Sequence, residues 1–185
     1  MKKINLILLA LTLVITVSCK KDKTAPETEK TVAETAKKVK VKLESKSGSN
    51  VTGNAVFTEE DGQIKFTAMI SGLEQGTHAI HIHEKADCSS DDGKSTGGHW
   101  NPTGAPHGQW GSSAGYHKGD IGNLEADAEG HAMIMLKTDE WCIGCSDKNK
   151  DVLGKAIIVH AGTDDFTTQP TGAAGGRVSC GGIIK

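Results

Sequence analysis

Seven side chains able to hold a metal ion recur in four short segments of this sequence. HAIHIH (78–83) carries His81 and His83, GHWNPTGAPHG (98–108) carries His99 and His107, HKGDIGN (117–123) carries His117 and Asp120, and IIVHAGTDDF (157–166) carries His160. Alternate side chains of an extended strand share a face, so His81 and His83 converge on one side while His78, Ile80 and Ile82 take the other. His78 is therefore read as an inward, hydrogen-bonded structural histidine. An isolated HxH pair is a weak signal. It gains weight from the loop that follows, where three histidines and an aspartate make a zinc-type donor set.

These donors need rigid elements to position them. Val39, Val41 and Leu43, then Ala55 to Thr58, then Ile64, Phe66, Ala68 and Ile70 follow period-two patterns separated by SGSN and EEDG. Such runs predict antiparallel strands and hairpins. Further strands are expected at 79–83, 132–136 and 156–160, and no segment carries convincing helical periodicity. With 4% aromatic residues and 23 glycines, the core must be built from Val, Ile, Leu and Ala between Gly-rich turns, and the class is all-β. Residues 84–118 and 161–176 lack strand patterning, and unpatterned stretches of that length in a compact domain usually serve function. Along AMIML, Met133 and Met135 are read as strand packing rather than as thioether ligands for Cu(I), and His131 as a turn residue.

In order, HxH, GHxNP with a second histidine eight residues on, HxGDxGN, VH followed by an aspartate, and GGRxxCG form a set that resembles the copper-zinc superoxide dismutases from residue 39 to the C-terminus. The resemblance implies a Greek-key, immunoglobulin-like β-sandwich or flattened eight-stranded barrel with two long functional loops, an architecture of which this family is itself a standard example. It implies His81, His83, His99 and His160 as copper ligands and His99, His107, His117 and Asp120 as zinc ligands, His99 bridging the two. Asp164 would join His81 to His107 by hydrogen bonds, Cys88 and Cys180 would form a disulfide, and Arg177 would stand beside the channel to copper. The implied activity is dismutation of superoxide to dioxygen and hydrogen peroxide, with one copper and one zinc per chain. In that reading His99 is the proton donor and Arg177 steers the anion, with Lys118 the next cation to consider, in a monomer or homodimer. A copper carrier has no need of His107, His117, Asp120 and Arg177, and a thiol oxidoreductase built on CIGC leaves the histidines unexplained.

Residues 1–18 place Lys2 and Lys3 ahead of an apolar run too short to span a membrane, which reads as a secretory signal peptide. ITVSC (15–19) resembles a lipoprotein lipobox, so Cys19 is expected to carry a lipid anchor, the alternative being ordinary signal cleavage nearby. Residues 19–38 are too polar to order themselves and read as a tether, leaving 39–185 as the folded domain. The expected location is the cell envelope, either periplasmic or held to a membrane by the lipid. In that oxidising setting disulfides are the default. Cys142 and Cys145 lie outside the family pattern and are read as a second disulfide, with a redox-active pair or a metal site as alternatives. Loss of residues 1–18 removes two lysines and no acid, leaving 19 basic against 23 acidic side chains, which argues against nucleic acid as a partner.

Overall fold

A computed structural model describes residues 36–185, so the expectations for the signal peptide, for Cys19 and for most of the tether lie outside the described residues. Eight strands follow one another along the chain: β1 (Lys37–Ser45), β2 (Thr52–Glu60), β3 (Gln63–Ser71), β4 (Gly76–His83), β5 (Gly122–Ala126), β6 (Ala132–Thr138), β7 (Ala156–His160) and β8 (Arg177–Gly182). Among the described residues the only helical element is a single 3-10 turn at Lys94–Thr96.

The alternation seen in the sequence is the cause of the first three strands. Val39, Val41 and Leu43 on β1, Ala55 and Phe57 on β2, and Ile64, Phe66, Ala68 and Ile70 on β3 all point into one core, while Lys38, Lys40 and Lys42 face water. Phe57 and Phe66 pack at 4.9 Å between ring centroids, and Trp141 from a later loop closes on both at 6.0 Å. The first strand begins two residues before its apolar pattern, because Lys37 and Lys38 pair in register with Glu59 and Thr58. Neither β5 nor β8 has enough alternation to be legible locally; each is drafted by a neighbour's ladder, β5 by β4 and β8 by β7.

All ladders are antiparallel, in the order β5-β4-β7-β8-β1-β2-β3-β6. The outer strands β5 and β6 touch without a ladder, so the sheet curls into a nearly closed, flattened barrel. The pairings β3 with β6, β4 with β7 and β8 with β1 join strands distant in sequence, the mark of Greek-key connections.

Strands β4 and β7 differ from the rest in being buried on both faces over Ala79–His83 and Ala156–His160. Ile80, Ile82, Ile157 and Val159 fill the barrel core. Their opposite faces are covered by the long loops 84–121 and 161–176. The first loop is stitched to β4 where Ile82 N–H donates to the Gly119 carbonyl and Trp100 N–H donates to the Ile82 carbonyl, both at 2.8 Å. Only glycine fits at 119, since a Cβ there would lie 2.1 Å from the Ile82 carbonyl oxygen.

One reading is overturned. Met133 and Met135 do not pack; they face solvent, because the inward parity of β6 is taken by Ala132, Ile134 and Leu136. His131 does sit in the turn that opens β6.

Both cysteine pairs are bonded, Cys88 to Cys180 and Cys142 to Cys145. The first fixes the 84–121 loop to β8 across 92 residues and packs on Ala156 and Ile158. Replacing Cys88 and Cys180 together by alanine should lower the denaturant-measured stability by about 4–5 kcal/mol in the chain-entropy account. An unchanged unfolding midpoint would mean that this bond does not restrain the unfolded chain.

Candidate metal centre

The ends of β4 and β7 and the 84–121 loop deliver every metal-binding residue expected from the sequence to one place. His81 and His83 project from the outer face of β4, His160 ends β7, and the loop brings His99, His107, His117 and Asp120 over them. They form two donor sets, His81, His83, His99 and His160 in one and His99, His107, His117 and Asp120 in the other, with candidate ligand atoms lying within 4.8 Å of one another in each. All seven residues are buried, and His99 belongs to both sets.

Each ring in the first set has one nitrogen occupied and one left over. His81 Nε2–H donates to Asp164 Oδ2 at 2.8 Å, His83 Nδ1–H to the Gly97 carbonyl at 3.0 Å, and His160 Nδ1–H to the Gly175 carbonyl at 3.3 Å. That leaves His81 Nδ1, His83 Nε2, His160 Nε2 and His99 Nε2 buried with no hydrogen-bond partner among the described residues. A donated proton at one imidazole nitrogen leaves a lone pair at the other, so the tautomers are set for ligation.

The second set gathers around a carboxylate. His99 Nδ1 lies 2.8 Å from Asp120 Oδ1, and His107 Nδ1 and His117 Nδ1 lie 3.0 and 3.2 Å from the same carboxylate but in orientations that make no hydrogen bond. Backbone N–H groups of Gly108 and His117 donate to Asp120 Oδ2 at 3.1 and 2.8 Å and fix its angle. Three imidazole nitrogens crowding one carboxylate is an arrangement that a small cation reconciles, and three His with one Asp is a tetrahedral zinc-type set. The all-imidazole set suits copper.

Asp164 couples the two sets. Its Oδ2 accepts from His81 and its Oδ1 accepts from His107 Nε2–H, each at 2.8 Å. Asn123 holds Asp164 in turn: Asn123 Nδ2 donates to the Asp164 carbonyl and Asp164 N–H donates to Asn123 Oδ1, both at 2.9 Å. Gly172, with φ of 65°, leaves the space; a Cβ there would lie 1.9 Å from Asp164 Oδ1. Neither Asn123 nor Gly172 was singled out from sequence, although Asn123 closes HKGDIGN; the Gly97 and Gly175 carbonyls carry no sequence signal at all.

Burial governs the titration of the metal-free site. It drives His83 and His160 far below the ordinary imidazole range, and brings His81 down to about 4 against the opposing hydrogen bond to Asp164. At His107 burial also disfavours the charge, but the carboxylates of Asp120 and Asp164 overcome it and raise the group to about 9. For Asp120 and Asp164 burial pushes upward, yet the neighbouring imidazoles, His107 and His99 around Asp120 and His107 and His81 around Asp164, hold both below the usual carboxylate range.

Arg177, the first residue of β8, lines a pocket of about 270 Å³ together with His83, His160, Thr171 and Gly175. Its guanidinium donates to the Gly93 and Gly97 carbonyls at 2.9 and 2.8 Å and to Thr96 Oγ1 at 3.0 Å, all of them neutral acceptors. Lys118, the next cation to consider after Arg177, has a carboxylate partner. It forms an ion pair with Glu140, which also accepts from the Tyr116 hydroxyl, so its charge is answered locally.

A family model described as copper/zinc superoxide dismutase matches residues 51–183. The chain belongs to that family. Solved dismutase-like structures agree with the assignment: a double mutant of a SOD-like protein from Bacillus subtilis shares 30% identity over 79% of this chain and 97% of its own, with a TM-score of 0.70. The clock protein EA4 shares 32% identity over 80% of this chain and 94% of its own, with a TM-score of 0.68. The donor sets fit the two metals for which the family is named.

Because His107 is raised to about 9, its ring carries a second proton, on Nδ1, in the metal-free protein at neutral pH, and a metal at Nδ1 must displace it. Zinc binding at pH 7 should therefore release about one proton and weaken as pH falls from 9. Calorimetry in buffers of different ionisation enthalpy measures the release; buffer-independent heats would show that His107 is neutral before zinc arrives.

Proposed function

We propose that this protein dismutates superoxide, with copper held by His81, His83, His99 and His160 and zinc by His99, His107, His117 and Asp120. The observation that carries the reading is the shared ring: His99 turns Nε2 into one donor set and Nδ1 into the other. Bound there, copper supplies the one-electron exchange that oxidises one superoxide to dioxygen and reduces the next to hydrogen peroxide, while zinc is redox-inert.

The chain's own residues do the rest. His99 Nε2 can hold one of the two protons that hydrogen peroxide requires, the other coming from water, and Asp120 lies beside the ring's other nitrogen at 2.8 Å. Asp164 orients His81 and His107 at once. Arg177 presents a permanent positive charge at the pocket that opens on His83 and His160, and no carboxylate hydrogen-bonds it among the described residues. Lys94, also at that mouth, is paired with Asp92 at 2.8 Å. The anion is thus drawn to an otherwise acidic protein by one focused charge.

For location we propose export to the cell envelope with a lipid on Cys19; the lysine-flanked apolar run of residues 1–18 and ITVSC support it. The two disulfides of the domain suit such an oxidising compartment.

Relatives titled as SOD-like proteins and as a clock protein make a non-catalytic metal protein the rival reading. Metal analysis of the purified mature protein together with a superoxide dismutation assay separates the two. Catalysis is expected with about one copper and one zinc bound, whereas a fully metal-loaded protein without activity would overturn the enzyme reading.

Steering generates its own prediction. Arg177→Ala should keep both metals and lose roughly tenfold in second-order rate at low salt. Added salt should slow the wild type and affect the variant less, since screening removes a field that the variant lacks. An unchanged rate and salt dependence would place the steering charge elsewhere.

A further inference from the structure

Methionine ordinarily fills irregular gaps in apolar cores. In this protein it does the reverse. Besides Met1 the chain has three methionines, Met69, Met133 and Met135, and they stand on the outer face of β3 and β6 with 55, 58 and 69% of their surface exposed. Elsewhere on that face the same strands present lysines to water, Lys65 and Lys137, as an outward position ordinarily demands.

The three thioethers are neighbours by register. Met69 and Met133 are direct cross-strand partners, a relation that sets Cβ atoms about 5 Å apart. Met135 follows on the same face, opposite Thr67, about 7 Å along the strand from Met133. An imidazole joins them. His131 precedes β6 by one residue, shares the parity of Met133 and Met135, and is exposed. Its backbone is pinned by Asp127, whose N–H donates to the His131 carbonyl at 3.0 Å and whose Oδ1 accepts the His131 N–H at 2.7 Å. His131, Met69 and Met133 line one open groove, with the carboxylates of Asp127 and Glu125 in its wall.

Thioethers are soft, uncharged donors that favour monovalent copper, whereas zinc takes thiolate, imidazole and carboxylate. We propose that Met69, Met133 and His131 form a second metal site, selective for Cu(I), with Met135 as the adjacent thioether on the same face, on strands that contribute no ligand to the copper and zinc centre. The neighbouring carboxylates offset the cation's charge without competing as soft ligands. Such a site would hold copper at the surface independently of whether the main centre is catalytic.

The test uses the mature protein with copper and zinc already loaded in the main centre, titrated with Cu(I) under ascorbate against a colorimetric Cu(I) chelator. The wild type should retain about one Cu(I) per chain beyond a variant carrying Met69→Leu, Met133→Leu and Met135→Leu. Leucine keeps the volume and apolar character of this exposed face while removing every sulfur, so the variant should keep its main-centre metals and its Tm. In protein labelled with ¹³C at the methionine methyl groups, these resonances should move on addition of Cu(I) and stay still on addition of zinc. His131→Asn should compete less well against the chelator than the wild type. Equal Cu(I) retention by wild type and the triple leucine variant, or methyl resonances indifferent to Cu(I), overturns the site. Unchanged competition by His131→Asn overturns the place of His131 in it.

Discussion

At one end of the barrel six imidazole nitrogens are buried with no hydrogen-bond partner among the described residues, and a buried polar atom without a partner costs about 1–3 kcal/mol. Much of this molecule's architecture follows from that debt. The nitrogens of His81, His83 and His160 cannot be relieved by protonation, because burial and neighbouring rings hold these three neutral. Nor can the rings turn, because their opposite nitrogens are engaged by Asp164, the Gly97 carbonyl and the Gly175 carbonyl. What remains is a set of lone pairs aimed at fixed points, which is the condition for binding a cation without reorganisation.

Holding that condition requires the loops to be as rigid as strands. The 84–121 loop is anchored by the Cys88–Cys180 bond at one end and by the Ile82–Gly119 and Trp100–Ile82 backbone bonds at the other. Arg177 has a part in this too. Its hydrogen bonds to Gly93, Thr96 and Gly97 tie β8 to the loop segment whose Gly97 carbonyl orients His83. The side chain proposed to draw in the anion is therefore also part of the scaffold around His83.

A second support reaches the zinc-type set from outside the family motifs. Trp141, just before the Cys142–Cys145 bond, donates from Nε1 to the Lys118 carbonyl at 2.8 Å, and Glu140 holds both Lys118 and Tyr116. These contacts flank His117 directly in sequence. The short CIGC disulfide thus closes the turn from which the barrel's largest fully buried side chain, Trp141, packs against Phe57 and Phe66.

The sequence by itself determined the donors and their faces. Strand parity separated His81 and His83 from Ile80 and Ile82, and the loop spacings assembled a zinc-type set, because both are local properties of an extended chain or a short motif. Alternation likewise revealed β1, β2 and β3, whose inner faces carry the core. Strands β5 and β8 escaped, since they are made by pairing with β4 and β7 rather than by their own pattern. So did the outward facing of Met133 and Met135: alternation says that alternate residues share a side but not which side is the core, and only the ladder of β6 on β3 decided that. The tertiary structure alone supplied the Gly97 and Gly175 carbonyls, the space left by Gly172 and the pairing of Lys118 with Glu140, because a backbone carbonyl, an absent side chain and a long-range ion pair leave no local signature in a sequence.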